Sequence, residues 1–239
     1  MTVLTNIGQL ATCPPGNPQG DAGLINDAAL AIREGSVAWS GPATGLPAEY
    51  ASDETLDCDG KLVVPGLIDC HTHLCFGGWR GDEFEMRLAG ATYLEIAEAG
   101  GGIASTVRAT REASADELEE KAAVSLDGML KLGVTTVECK SGYGLSMEEE
   151  LKLLRVYQRL QTTAAQRIVP TLLAAHVVPI ECRNRRRSYI DMICDELIPR
   201  VADEGLAQFN DVFVEDGAFA VEEAERILTV GSNHGLVPK

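Results

Sequence analysis

Two histidines one residue apart, His71 and His73, close the apolar run Leu62-Val63-Val64-Pro65-Gly66-Leu67-Ile68-Asp69-Cys70. Alternate residues of a β-strand project to the same side, so both imidazoles are presented together at the strand's end. Such a pair suits a divalent metal, and a metal held there lowers the pKa of a bound water enough to make hydroxide near neutral pH. The chemistry that this spacing points to is metal-assisted hydrolysis. Standing alone, a His-x-His is a weak signal that reads better as satisfied core or rim histidines. The setting favours the metal: a buried-type strand after a Pro-Gly turn, then the Gly-bearing loop Phe76-Gly77-Gly78-Trp79-Arg80.

A strand end needs a sheet behind it, and from Pro65 onward strands alternate with amphipathic helices, the pattern of βα units around a parallel sheet. Ser114-Ala115-Asp116-Glu117 reads as a capping box opening a helix with Leu118, Ala122, Leu126, Met129 and Leu130, and Gly133 stands at its expected stop. Strand Val134 to Cys139 follows. A second capping box, Ser146 to Glu149, opens a helix with Leu151, Leu154 and Leu160, and residues 168–175 read as the next strand. Its Pro170 suggests a first turn or an edge irregularity. A helix with Tyr189, Ile190, Ile193, Leu197 and Val201 leads to strand Asp211 to Glu215, and one from Val221 to about Thr229 leads to a strand beginning near Gly235. Residues 65–239 therefore predict a partial (β/α) barrel, strands one to four and the start of a fifth. Residues 1–64 predict a small β module, with a hairpin of Ala28 to Ile32 and Ser36 to Ser40 around Glu34-Gly35.

In a parallel barrel the loops after the strands build the site, which makes His71, His73, Arg80, Lys140, Tyr143 and His176 the candidates. Arg80 can clamp a carboxylate with two parallel hydrogen bonds, or pair with Asp82 or Glu83 as a surface ion pair. Tyr143 offers a phenol to a ligand or anchors its loop. Lys140 can point into the barrel. His234 falls in a helix-to-strand loop on the opposite side and reads as a surface or C-cap residue. Gly100-Gly101-Gly102 lacks the ending of a phosphate-binding loop and reads as a turn. Arg183 to Arg187 reads as a solvated basic loop or an intersubunit salt contact.

The 239 residues, 45% hydrophobic, can bury a sizeable core, and the net charge of −16 argues against nucleic acid or an anionic membrane as partner. An anionic small substrate must then be caught by local cations. Seven cysteines without Cys-x-x-Cys spacing give no disulfide framework. Cys70 and Cys75 flank the histidine pair, and both read as packing residues. With no signal-peptide pattern and no span-length apolar stretch, the expected location is the cytoplasm.

The segment Pro65-Gly66-Leu67-Ile68-Asp69-Cys70-His71-Thr72-His73-Leu74 resembles the first barrel strand of the metal-dependent amidohydrolases. Phe76 to Arg80, Glu83 to Tyr93, Ala99 to Ile103, Lys140-Ser141-Gly142-Tyr143-Gly144-Leu145 and Ala174-Ala175-His176-Val177-Val178-Pro179 narrow the resemblance to the imidazolonepropionase family of histidine degradation. It runs from the β module to the last residue. The resemblance implies an α/β fold, the N-terminal half of a (β/α)8 TIM-type barrel preceded by a β-sandwich-like module. It implies one zinc or iron ion on His71 and His73, substrate contacts from Arg80, Tyr143 and His176, a catalytic role for His176, and a homodimer at full length. The family opens a cyclic amide by hydrolysis. Its pattern also asks for a His on the fifth strand with a nearby acidic residue, a His on the sixth and an Asp on the eighth, which this sequence does not reach. The chain is therefore expected to be a truncated copy, inactive alone. Two other readings stay open: another cyclic amidohydrolase or deaminase of the same superfamily, and a non-catalytic fragment.

Overall fold

The computed structural model describes residues 2–92, 95–96 and 100–239. Tyr93 and Ala99, each at one end of a motif segment quoted above, lie outside the described residues. The chain divides into two compact units, Met1–Gly66 and Leu67–Lys239.

The described residues of the first unit form one mixed sheet. It contains β1 (Thr2–Ala11), β2 (Leu24–Arg33), β3 (Ser36–Pro42), β4 (Glu54–Asp57) and β5 (Leu62–Val63). The order is β3-β2-β1-β4, and β5 joins β4 in pairing with β1, both parallel to it. The predicted hairpin joins β2 to β3, with Glu34 at φ 52° and Gly35 at φ 75°. Positive φ at both turn residues matches the twist of the flanking strands. Val3, Ala31 and Tyr50 pack together with Trp39 and Leu46 beside them, and Ile7, Leu10 and Ala28 form a second cluster.

In the second unit, β6 (Leu67–Thr72), β7 (Val134–Lys140), β8 (Arg167–Ala175), β9 (Phe209–Val212) and β10 (Val237–Pro238) make a five-stranded sheet in sequential order. All four pairings are parallel. The intervening helices are α1 (Gly81–Leu88), α2 (Ile103–Glu112), α3 (Ala115–Lys131), α4 (Met147–Thr163), α5 (Arg186–Met192), α6 (Ile198–Asp203) and α7 (Val221–Asn233). Period-2 alternation splits β7 cleanly. Val137 and Cys139 join Leu118, Ala122 and Leu126 of α3 and Leu151, Leu154, Tyr157 and Leu160 of α4 in the main core. Glu138 and Lys140 point the other way, into a polar network with Asp211 and Thr171.

Sequence expectation and structure part at several places. The Ser114 capping box forms in full, side chain and backbone bonded reciprocally with Glu117. The one expected at Ser146 does not: Ser146 makes no side-chain cap bond, and Glu149 pairs with Lys152 at 2.5 Å. The strand expected at residues 211–215 is Phe209–Val212. Beyond Val212 the ladder ends and Val214 makes only an isolated parallel bridge to Phe219, so the apolar alternation outlasts the ladder. Pro170 sits inside central strand β8, neither at its first residue nor on an edge. Its carbonyl accepts from the Gln208 N–H on the β9 side, so the N–H it lacks would face chain that precedes Phe209, where β9 has not begun. α7 continues to Asn233, past the expected end near Thr229. Between α5 and α6, residues Ile193–Leu197 form a π-turn in which Ile198 N–H reaches Ile193 O. Pro199 offers no N–H and its ring crowds the carbonyl four residues back, which accounts for the widening. Cys75 is buried as expected, whereas Cys70 is exposed and packs against nothing that buries it.

Candidate metal and substrate site

His71 lies in β6 and His73 just past its end, with ring centroids 5.8 Å apart. His71 is exposed and His73 half-buried. Burial holds the His73 imidazolium down to a pKa of about 3, with His176 and His71 nearby adding to the effect. The ring is therefore neutral at physiological pH. Its Nδ1 is buried with no hydrogen-bond partner.

His176 follows β8 directly and stacks on His73, centroids 4.9 Å apart and planes 15° from parallel. Its Nδ1 is 3.0 Å from the Gly142 carbonyl oxygen. A carbonyl only accepts, so Nδ1 carries the proton and Nε2 keeps its lone pair. Burial lowers the His176 pKa. Tyr143 stands 4.9 Å from His73 and 5.4 Å from His176 by ring centroid, and burial raises its phenol pKa. The loop that carries it admits nothing larger than glycine at Gly142. A Cβ there would meet Leu173 O at 2.8 Å and His176 at 3.1 Å, and its φ is 106°.

Arg80 arrives on the loop Phe76 to Arg80, which is fastened from α3 and α2. Lys121 Nζ donates to the carbonyls of Phe76 at 3.1 Å and Gly78 at 2.6 Å. The same ammonium lies 3.4 Å from the Phe76 ring centroid and 4.0 Å from that of Trp79. Gly77 N–H donates to Thr110 Oγ1 at 2.9 Å, and a Cβ on Gly77 would sit 2.2 Å from Ala109 O. Arg80 itself reaches Glu83 only at 3.9 Å and its side chain is 45% exposed. That is a loose pair, which leaves the guanidinium available to a ligand. Glu83 is occupied on its other oxygen, accepting from Gly102 N–H at 2.7 Å. Gly100-Gly101-Gly102 is thus the turn expected, Gly102 preceding α2 at φ 71°. A cavity of about 280 Å³ is lined by His73, Trp79, Arg80, Thr106 and Tyr143 among others. Of the six candidate residues, His73, Arg80, Tyr143 and His176 meet here or beside it, His71 flanks them, and Lys140 does not join them. His234 is the exposed C-cap of α7.

Lys140 belongs to a neighbouring network. Its ammonium is 2.9 Å from Glu138 and 2.6 Å from Asp211, and Glu138 also bonds Lys239 and accepts from Thr171. Burial works against the Lys140 charge, but the two carboxylates outweigh it and raise the pKa. Arg183 to Arg187 is a 3-10 turn running into α5, with Arg186 paired to Glu223.

The implied metal can be tested against these residues. A neutral His73 with an unpartnered buried nitrogen, beside His71, fits a Lewis acid that needs two imidazole donors. Among the described residues no cluster of three or more His, Cys, Asp or Glu has metal-binding geometry. Sequence reasoning also missed Lys121, Arg111 and Glu150, which bond the loops of the site, and it read Glu83 only as a surface partner for Arg80. Each is a charged residue on a helix, and on the page each looks like solvated surface.

No family model matches the chain. It is 53% identical over 214 residues to the imidazolonepropionase of Myxococcus xanthus, covering 89% of this chain and 51% of that protein. To the imidazolonepropionase of Agrobacterium fabrum it is 47% identical over 240 residues, covering 100% of this chain and 57% of the relative. Among solved structures, a triazine hydrolase from Arthobacter aurescens superposes with a TM-score of 0.64 at 15% identity, over 99% of this chain and 51% of the other. A 5-methylcytosine deaminase from Klebsiella pneumoniae gives 0.61 at 15%, over 99% and 50%. Atrazine chlorohydrolase from Arthrobacter aurescens TC1, complexed with zinc, gives 0.52 at 15%, over 98% and 58%. These structures share the amidohydrolase fold. The chain spans about half the length of the curated relatives it matches, and over that span it is similar to the imidazolonepropionases.

Proposed function

We propose that the protein carrying these residues acts in histidine breakdown, hydrolysing the cyclic amide of 4-imidazolone-5-propionate to N-formimidoyl-L-glutamate; its relatives carry the name imidazolonepropionase. The observation that carries this reading is the convergence of His73, Tyr143 and Arg80 on one cavity, with His176 stacked on His73. A flat ring can pack against the His73 and Tyr143 side chains that line the cavity, and a loosely paired guanidinium stands at the cavity wall for the propionate. A zinc or iron ion on His71 and His73 would polarise the ring carbonyl and activate water. Arg80 holds the carboxylate and so fixes which ring edge faces the histidines. His176, neutral and with Nε2 free, can accept a hydrogen bond or proton from the ring, and Tyr143 can donate one. In the overall reaction water adds to the carbonyl carbon, the ring C–N bond breaks, and the nitrogen leaves with a proton.

Imidazole-4-propionate, which keeps ring and carboxylate without the scissile amide, serves as the probe. Calorimetry is expected to give binding to the zinc-supplemented chain, weakened about tenfold or more in Arg80→Ala, the loss of one charge-assisted contact. Equal affinity in wild type and variant sinks the carboxylate reading. A neutral-ring amidohydrolase would then be the better account. His73→Ala is expected to lower bound metal measured by plasma mass spectrometry, and unchanged metal content would remove the histidine pair from the proposal. Two imidazole donors make an incomplete hydrolytic site, so the 239-residue chain alone is expected not to turn over substrate. Measured turnover by the purified chain would overturn that. A cytoplasmic location and, for the full-length protein, a homodimer belong to the same proposal, the latter read by sedimentation of the full-length protein.

A further inference from the structure

The loop that delivers Tyr143 leaves β7 and enters α4 through Ser141-Gly142-Tyr143-Gly144-Leu145-Ser146. Its backbone hydrogen bonds can be followed one by one, and most end on two charged side chains and one imidazole. Glu150, fully buried, accepts from Gly144 N–H at 2.8 Å and Leu145 N–H at 2.7 Å on one oxygen, and from Gly142 N–H at 3.0 Å on the other. Arg111 of α2 takes the outgoing carbonyls, Gly144 O at 2.7 Å and Leu145 O at 3.1 Å. The third carbonyl, Gly142 O, goes to His176 Nδ1. Leu145 is buried at φ 52°, a conformation that a leucine keeps only where its surroundings impose it. A Cβ on Gly144 would strike the α4 backbone at 2.6 Å, so the loop also lies flush against the helix that bears Glu150.

We propose that Glu150 is a positioning residue for the site, a buried carboxylate that fixes the Tyr143 ring and, through Gly142, the tautomer of His176. This inference rests on the reading of Tyr143 and His176 as substrate-facing groups. The physical argument is one of acceptors. Three converging N–H groups, closed off from water, need an anion or an equivalent set of carbonyls. Of residues 142–145, Tyr143 alone contributes no backbone group to the clamp; its side chain is the one projected into the cavity. If the three N–H groups lose their acceptor, Gly142 is free to rotate and its carbonyl leaves His176. Nδ1 and Nε2 then compete for the proton, and the lone pair that faces the ring is present only part of the time. Glutamine cannot replace the carboxylate, because its amide NH2 would be turned toward a backbone N–H. Aspartate is one methylene too short to reach the same three donors.

The test uses Glu150→Gln in the zinc-supplemented chain, with thermal unfolding and circular dichroism as folding controls. Nitrogen NMR of the His176 ring is expected to show Nδ1–H in wild type and a mixture of tautomers in the variant. Imidazole-4-propionate is expected to bind the variant about tenfold more weakly, the usual scale for losing an orienting partner. A folded variant with the wild-type tautomer and wild-type affinity overturns the proposal. A shifted tautomer with no probe binding to either protein upholds Glu150 and counts against the substrate reading instead, so the two ideas fail separately. Should Glu150→Gln not fold, hydrogen exchange on the wild type decides: Gly142, Gly144 and Leu145 amides protected like those of α4 support the clamp, and fast exchange at all three refutes it.

Discussion

One carboxylate, that of Glu138, serves two ammonium groups and a hydroxyl: Lys140, Lys239 and Thr171 all bond to it. Burial pushes its pKa up, while hydrogen bonds from Lys239, Thr171 and Lys140 pull harder, and the balance lies below the ordinary value. The sign follows. A carboxyl whose folded pKa is depressed stabilises the fold above the unfolded value and loses that stability as pH falls through the folded one. Thermal midpoints are expected to drop across the acid range just below the ordinary glutamate pKa, and Glu138→Gln is expected to flatten that drop. At neutral pH the same variant strands Lys140 between one partner and a neutral amide, at a cost of about 3 kcal/mol. An unchanged acid limb in the variant would show that other carboxyls carry it. Lys140 was legible as a strand-end candidate, and Glu138, two residues away in the same apolar strand, shares its face. Glu150 was not legible, because nothing in Met147-Glu148-Glu149-Glu150 says which glutamate turns inward.

At the scale of elements, α3 offers the cleanest measurement. Its capping box satisfies the first orphan N–H groups with Ser114 and Glu117, and Ser114→Ala is expected to cost about 1 kcal/mol, read as a lower urea midpoint with unchanged slope. No change would mean that α3 is held by Leu118, Ala122 and Leu126 alone. The same four-residue signature at Ser146 carries no cap bond, and the comparison is instructive. At Ser114 the helix start follows α2 after a short connection, with no other acceptor competing for its N–H groups. At Ser146 the preceding loop has already been fixed by Glu150 and Arg111, and the serine side chain is left out. Local pattern predicts a helix start in both places; which group satisfies it is decided by tertiary contacts that the pattern does not contain. The strand Phe209–Val212 makes the same point, since the alternation through Val214 is real but serves a bridge to Phe219. Strand order, helix placement and the histidine pair were legible because period-2 and period-3.6 burial is written directly in residue type. Side-chain clamps such as Lys121 on the Phe76 and Gly78 carbonyls were illegible, since a lysine with an apolar stem suits either a surface or a loop anchor.

Among the described residues of the second unit, β6 and β10 each pair on one side only, and Leu67 and Ile68 on β6 are 52% and 68% exposed. An unpaired apolar edge invites another strand. The charge of −16 opposes it, and salt screens that repulsion over about 8 Å at physiological ionic strength. Light scattering is expected to report monomers in dilute buffer and association as salt is raised. Monomers at every salt concentration would mean that the edge is protected some other way. One further feature turns the division into two units into something an optical instrument can follow. The chain's two tryptophans fall one in each unit: Trp39 is packed beside Val3 and Tyr50, and Trp79 is 79% exposed beneath the Lys121 ammonium. Their emission therefore separates by colour, Trp39 toward the blue and Trp79 toward the red. A single fluorescence spectrum recorded through a denaturant series follows the melting of the β module and the opening of the Arg80 loop as two distinct signals, without any label added to the protein.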